Sequence, residues 1–257
     1  MKIFGRSDPG IERQSNQDNY FFRVEGRHAL IAVADGMGGH AAGEVASFIA
    51  VDVLSRQTKF GDMTELCERC SPDRDKSVIY SIEQLVSKAN YEIFEEGNKD
   101  SNKMGMGTTL TVGFLCDNHL FIGHVGDSRL YLISGNKMNK LTRDHSIVEE
   151  MLLDGKISEE EAANHPQKNM LTRALGTYVD VEVDTDNLLL DEGDIILFCT
   201  DGLTSLVREE EIKEIVIQKQ EEPLEAVDYL IDLANSRGGH DNITLVIATE
   251  VGGHSHK

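Results

Sequence analysis

The sequence predicts a layered α/β sandwich, with antiparallel sheets covered by pairs of helices. Two observations carry that expectation. Strand-like stretches come as neighbours joined by short polar turns, and helix-like stretches come in pairs instead of alternating singly with strands. Hairpin spacing implies antiparallel pairing, whereas a parallel sheet needs a strand–helix–strand rhythm that this chain lacks. At 257 residues the chain is long enough to bury a substantial core.

In chain order, "DNYFFRV" (18–24) and "HALIAVAD" (28–35) flank the turn "EGR". Residues 41–57 then carry an apolar stripe at Ala46, Ile49, Ala50, Val53 and Leu54, the spacing of an amphipathic helix. A second helix is expected over 76–96, with Ile79, Ile82, Leu85, Val86, Ala89 and Ile93 on one face. "TTLTVGFL" and "HLFIGHVGD" flank "CDN", and "SRLYLIS" and "KMNKL" flank "GN". Farther on, "VDTDNLLL" and "DIILFCTD" flank "DEG" and read as another hairpin. Helices are expected over 208–219 and 223–236, the latter with Pro223 in its first turn, before a last strand "NITLVIATEV". Residues 145–178 interrupt the strands with short helical pieces, either a flap beside a site or a packed insertion. No composition break divides the chain, so one domain over 1–257 is expected.

Hydrophobic residues make up 40% and charged residues 27%, ordinary for a globular protein. No apolar stretch is long enough to span a bilayer and the N-terminus lacks a secretory signal, so a cytoplasmic protein is expected. Forty-five acidic residues against 25 basic ones give a formal charge of −20. That surface disfavours nucleic acid and anionic membranes and favours cations. Cys67 and Cys70 form a C-x-x-C, but one pair is half a ligand set, and it is expected to lie in a polar connector. His254 and His256 belong to a tail expected to fray.

The stretch "HALIAVADGMGGHAAGEVASFIAVDVL" (28–54) poses a choice. Gly36, Gly38 and Ala41 fit the loose glycine pattern that cradles a dinucleotide pyrophosphate. Asp35, just before them, would repel it. Other Asp residues also stand at strand ends: Asp127 after "IGHVG", Asp201 after "IILFCT", and Asp241 before "NITLV". One such Asp is usually a turn former. Four that converge would repel one another unless cations neutralised them, and oxygen donors without Cys or His point to magnesium or manganese. The turn is better read as a metal cradle.

Together "GIERQSNQDNY", "VADGMGGHAAGEVAS", "MGTTLTV", "HVGDSRLYL", "CTDGLTS" and "GGHDNITLV" give the chain a strong resemblance to the PP2C (PPM) metal-dependent serine/threonine protein phosphatases, in their bacterial form. The resemblance implies an α+β, four-layer α-β-β-α sandwich of two antiparallel sheets flanked by helix pairs. It implies two Mn2+ or Mg2+ ions and a third, weaker one. Asp35 would bridge the two ions, the Gly36 carbonyl would bind the second, and Asp201 and Asp241 would complete the first. Asp127 would hold the third with Asp201, Arg13 would grip phosphate, and Asp18 would orient water. Implied too are phosphoprotein substrates, opposition to a bacterial Ser/Thr kinase, and a monomeric enzyme. Met37 stands where animal relatives carry a histidine proposed as general acid; His40 or a water on the third ion could supply that proton, though His40 reads more readily as a packing or ligand-supporting residue. A phosphoprotein-binding pseudophosphatase and a nucleotide-dependent oxidoreductase are the rival readings. The intact Asp set counts against the first, and the absence of a strand–helix–strand crossover against the second.

Overall fold

Alternation of side chains along the strands decides the layering. The computed structural model describes residues 1–39, 42–57, 60–68 and 73–252, so His40, Ala41, Cys70, His254 and His256 lie outside the described residues. One sheet runs in the order β1 (Lys2–Asp8), β11 (Ile243–Thr249), β10 (Ile195–Cys199), β7 (Arg129–Ser134) and β8 (Lys137–Lys140). The other runs β2 (Asp18–Glu25), β3 (His28–Met37), β5 (Leu110–Cys116), β6 (His119–Val125) and β9 (Asp184–Leu189), with the short β4 (Gly107–Thr108) paired to β3. All the pairings in both sheets are antiparallel.

Along β3, Ala29, Ile31 and Val33 point into a layer shared with Leu130, Ile196, Phe198 and Val246 of the other sheet. Their neighbours Leu30, Ala32 and Ala34 point the other way, onto α1 (Ala42–Gln57) and α3 (Arg74–Lys99). The same split occurs in β10 and β11. Leu197, Leu245 and Ile247 face the side covered by α7 (Glu209–Gln218) and α8 (Pro223–Ser236), while Ile196, Phe198 and Val246 face the other sheet. A period-2 strand with both faces apolar must be covered on both sides. The expected four-layer sandwich is therefore the fold observed.

Several elements depart from the sequence expectation. β1 was not expected, because "KIFGRSD" lacks sustained apolar alternation; it forms because all seven of its residues pair with β11. A further helix, α2 (Phe60–Glu68), replaces the expected polar connector and buries Met63 and Cys67. The expected β9–β10 hairpin is not formed. β9 pairs with β6 and β10 with β7 and β11, so the "DEG" turn carries the chain from one sheet to the other. A short polar turn reads the same whether it joins neighbours or crosses between layers.

The insertion contains α4 (Ile147–Leu153) and α5 (Glu159–Ala163), each N-capped by a serine, Ser146 and Ser158. α4 buries no residue. The ends of the insertion are anchored: Thr108 bridges to Leu175, Ser146 bridges to Leu171, and Gly176 N–H donates to buried Asn90 Oδ1 at 2.8 Å. No helix among the described residues is long and apolar enough to cross a membrane.

Phe198 is fully buried between the sheets. Phe198→Ala should destabilise the protein by about 3–5 kcal/mol in urea unfolding. A loss below 1 kcal/mol, on the order of a surface substitution, would show that the inter-sheet layer does not carry the fold.

Candidate metal centre

Asp18 and Asp35 stand directly opposite each other across β2 and β3. Two like charges in that relation are destabilising, so something must hold them there. The Asp35 N–H donates to Thr109 Oγ1 at 2.9 Å, and its carbonyl accepts from Thr109 N–H and Thr108 Oγ1, both at 2.8 Å. The backbone of Asp35 is thus fixed by its neighbouring strand. The next residue has no room for a side chain: a Cβ on Gly36 would lie 2.1 Å from Gly43 O and 2.6 Å from Gln17 O.

The other sheet supplies Asp201, in the first turn of α6 (Asp201–Thr204), and Asp241, just before β11. Their loops touch, since a Cβ on Gly202 would lie 2.0 Å from Asn242 O. Asn242 ties down the segment that carries Arg13. Its Nδ2 donates to Pro9 O and Ser15 O, both at 2.9 Å, and its Oδ1 accepts from Gln17 N–H at 2.8 Å. Ile11 and Glu12 N–H groups both donate to Gly239 O. Held this way, the Arg13 Nη2 donates to Asp241 Oδ2 at 2.8 Å and its Nε to His240 O at 3.3 Å, with the side chain still about half exposed.

Asp127 sits where the chain passes from β6 in one sheet to β7 in the other. Gly126 N–H donates to His145 Nδ1 at 3.0 Å, and His145 N–H donates back to Gly126 O at 2.7 Å. Thr109 and Ser128 hydroxyls share a hydrogen bond at 2.7 Å. Buried His124, which bridges Thr111 and the Arg143 carbonyl, is pushed down to about 4 by burial and by His145, so it is neutral. The Arg129 guanidinium donates to Asp144, Tyr131 and Glu209, and its charge offsets part of the upward push on Asp127.

The electrostatics place these carboxylates near enough to act on one another. Burial pushes the Asp35 carboxyl well above its ordinary range, and Asp18, Asp201, Asp127 and Asp241 push it further. Asp201 is raised by burial and then by Asp241, offset by its hydrogen bond with Asp35. Asp127 is raised by burial, then by Asp201 and Asp144. Asp18, only 5% exposed, accepts from Thr200 Oγ1 at 2.8 Å through Oδ2, while its Oδ1 is buried without a partner. Its pKa rises to about 7, chiefly through burial. Five carboxylates with oxygen donors only, one of them holding an orphaned acceptor, fit hard divalent cations and a water.

The sequence profile described as Protein phosphatase 2C matches residues 11–235. The chain belongs to the protein phosphatase 2C family. Among the PP2C relatives, the serine/threonine phosphatase stp of Listeria innocua is 41% identical over 243 residues, covering 94% of this chain and 93% of that one. Protein phosphatase PhpP of Streptococcus pneumoniae is 36% identical over 255 residues and 97% of each chain. The crystal structure of the Mycobacterium tuberculosis serine/threonine phosphatase PstP/Ppp superposes with a TM-score of 0.84 at 34% identity, over 96% of this chain and 97% of that one. A structure of the PstP catalytic domain, described as a complex with two manganese ions, gives 0.81 at 33% identity, over 97% and 98%.

All seven residues that the PP2C resemblance singled out, Arg13, Asp18, Asp35, Gly36, Asp127, Asp201 and Asp241, lie in this one region. The sequence reading missed the polar frame around them: Thr108, Thr109, Thr200, Asn242 and His145. Threonines inside apolar strands, as in "MGTTLTV", were the available signal, but only the fold shows which backbone atoms they meet.

The crowding has a pH signature. In the unfolded chain Asp18 releases its proton near 3.8, whereas folded it holds it to about 7. Between these values the folded state binds more protons, so this group makes stability fall as pH rises through that window. In chelator the Asp35→Asn protein should melt at a Tm higher by about 2–4 °C or more near neutral pH, with a flatter decline from acid pH. A scanning-calorimetry series in which Asp35→Asn lowers Tm at every pH would refute the crowding.

Proposed function

We propose that this PP2C enzyme hydrolyses phosphoserine and phosphothreonine on proteins, with two divalent cations held by Asp35, the Gly36 carbonyl, Asp201 and Asp241. The single observation that carries the reading is the convergence of five carboxylates beside one anchored, half-exposed arginine. Relatives support it: the stp, PhpP and PstP proteins are phosphatases by name, and one PstP structure is described with two manganese ions. When bound, such ions acidify a coordinated water and neutralise phosphate charge.

The chain's own groups do the rest. Asp35 would hold both ions, its backbone fixed by the Thr108 and Thr109 hydrogen bonds. Asp18 Oδ1 accepts a proton-bearing donor, orienting a water toward phosphorus, while Thr200 fixes its other oxygen. Arg13 offers its planar donors to phosphate oxygens from the rim, held in reach by Asp241 and the Asn242 brace. Asp127 and Asp201, whose charges act on each other, would hold a third and weaker ion. Met37 at the end of β3 cannot donate a proton to the leaving serine or threonine oxygen.

The insertion at 145–178 begins at His145, which braces the Asp127 turn, and its first helix, α4, buries no residue. We assign it to peptide selection. The enzyme acts as a monomer opposing a Ser/Thr kinase, as its substrate class requires some kinase to supply the phosphoprotein.

The deciding assay is release of phosphate from a phosphothreonine peptide with manganese and with excess chelator. Turnover should depend fully on manganese and fall by about 100-fold or more in Asp201→Asn. Binding without turnover would favour a phosphoprotein-docking role, and activity in chelator would defeat the metal-dependent reading. Arg13→Ala should raise KM for peptide and small aryl phosphate alike, by about 10-fold. An unchanged KM for both would return Arg13 to a surface role. Shortening 154–164 should alter peptide kcat/KM while sparing the aryl phosphate. Equal effects on the two would make the insertion purely structural.

A further inference from the structure

Half of the C-x-x-C pair acquires partners far from the aspartate ring, at the other end of β3 and β5. Cys67, in α2, is joined through its sulfur to Cys116, the last residue of β5, with 6.3 Å between their Cα atoms. Cys116 pairs in register with His28, the first residue of β3, and Asp117 follows at the turn. Among the described residues, His28, Cys116 and Asp117 form the one group of three metal-ligating side chains whose donor atoms all lie within 4.8 Å of one another.

An independent observation points to a ligand. His28 is only 8% exposed, and its Nε2 is buried without any hydrogen-bond partner. Such a nitrogen is costly to leave unmet. Asp117 provides the way in. It is exposed, paired with Arg27 Nε at 2.9 Å, and with Arg27 lines a cavity of about 830 Å3.

We propose that His28, Cys67, Cys116 and Asp117 form a second cation site, for zinc or a similarly thiophilic divalent ion, in the dithiol form of the protein. The dithiol form arises when a thiol or phosphine reductant gives two electrons to the Cys67–Cys116 bond. The S–S bond breaks, each sulfur takes up a proton, and the reductant ends as a disulfide or, with oxygen from water, a phosphine oxide. Metal binding then displaces the two thiol protons. Two thiolates, an imidazole and a carboxylate make a four-donor set suited to tetrahedral zinc and poorly suited to magnesium or manganese. The two ends of the sandwich thus sort cations by donor chemistry, soft at one and hard at the other.

Cobalt(II) titration of the full chain, stripped of metal and kept in a phosphine reductant, tests this without reference to phosphatase activity. Thiolate-to-cobalt charge-transfer absorption reports sulfur ligation, which the aspartate ring cannot produce. The reduced protein should develop that absorption with one cobalt per chain, and zinc should bleach it. Asp35→Asn should leave it intact. Cys116→Ser should abolish it, and His28→Gln should weaken cobalt binding by about 10-fold or more. Circular dichroism confirms that each variant is folded, and Cys67→Ser repeats the test should Cys116→Ser fail to fold. No such absorption in the reduced protein, or an undiminished one in folded Cys116→Ser or Cys67→Ser, would overturn the assignment.

Discussion

Asp18 and Asp35 face each other across two paired strands, and Asp127, Asp201 and Asp241 add their charge to the same place. Left alone, that repulsion would splay the ends of the sheets. What surrounds it is a frame of neutral hydrogen bonds: Thr108 and Thr109 on Asp35, Thr200 on Asp18, Asn242 on the Arg13 segment. Apart from Thr200, which meets one oxygen of Asp18, the frame holds backbone and leaves the charge of the carboxylates unneutralised. The crowding is therefore stored as electrostatic strain in the fold, a strain that any bound cation would relieve.

Two sheets are needed because no single strand end could gather five carboxylates. Asp18 and Asp35 come from one sheet, and Asp201 and Asp241 from the other. Asp127 comes from the crossing between them. The shared layer of Ile31, Val33, Phe198 and Val246 fixes how the two ends align. A substitution deep in that layer is thereby coupled to ligand geometry at the rim, since close-packed interiors transmit shifts instead of absorbing them. Likewise the insertion is anchored by buried Asn90 and by the bridges at Leu171 and Leu175.

The acidic surface has a plain role in this setting. A formal charge of −20 raises the local concentration of divalent cations and repels phosphate at long range. Arg13, half exposed and paired with Asp241, is the cationic group that stands against this acidic background at the site. At the opposite end, His28, Cys67 and Cys116 face α2 and the helix layer, where burial and sulfur chemistry replace charge.

Local signals by themselves determined the antiparallel hairpins and the α1, α3, α7 and α8 helices, through turn chemistry and apolar periodicity. The Asp residues at strand ends were legible for the same reason, and the order of the motifs named the PP2C family before any coordinates. Sequence could not foresee β1, whose strand character comes wholly from pairing with β11. It misread the "DEG" turn as a hairpin, since turn chemistry is indifferent to which sheet the next strand joins. It also left Cys67 with half a ligand set, because His28 and Cys116 come to it only through β3–β5 register and the packing of α2. Residue types and spacing decided what chemistry was on offer. The tertiary structure decided which groups meet, because strand register and layer packing join positions that lie far apart in the chain.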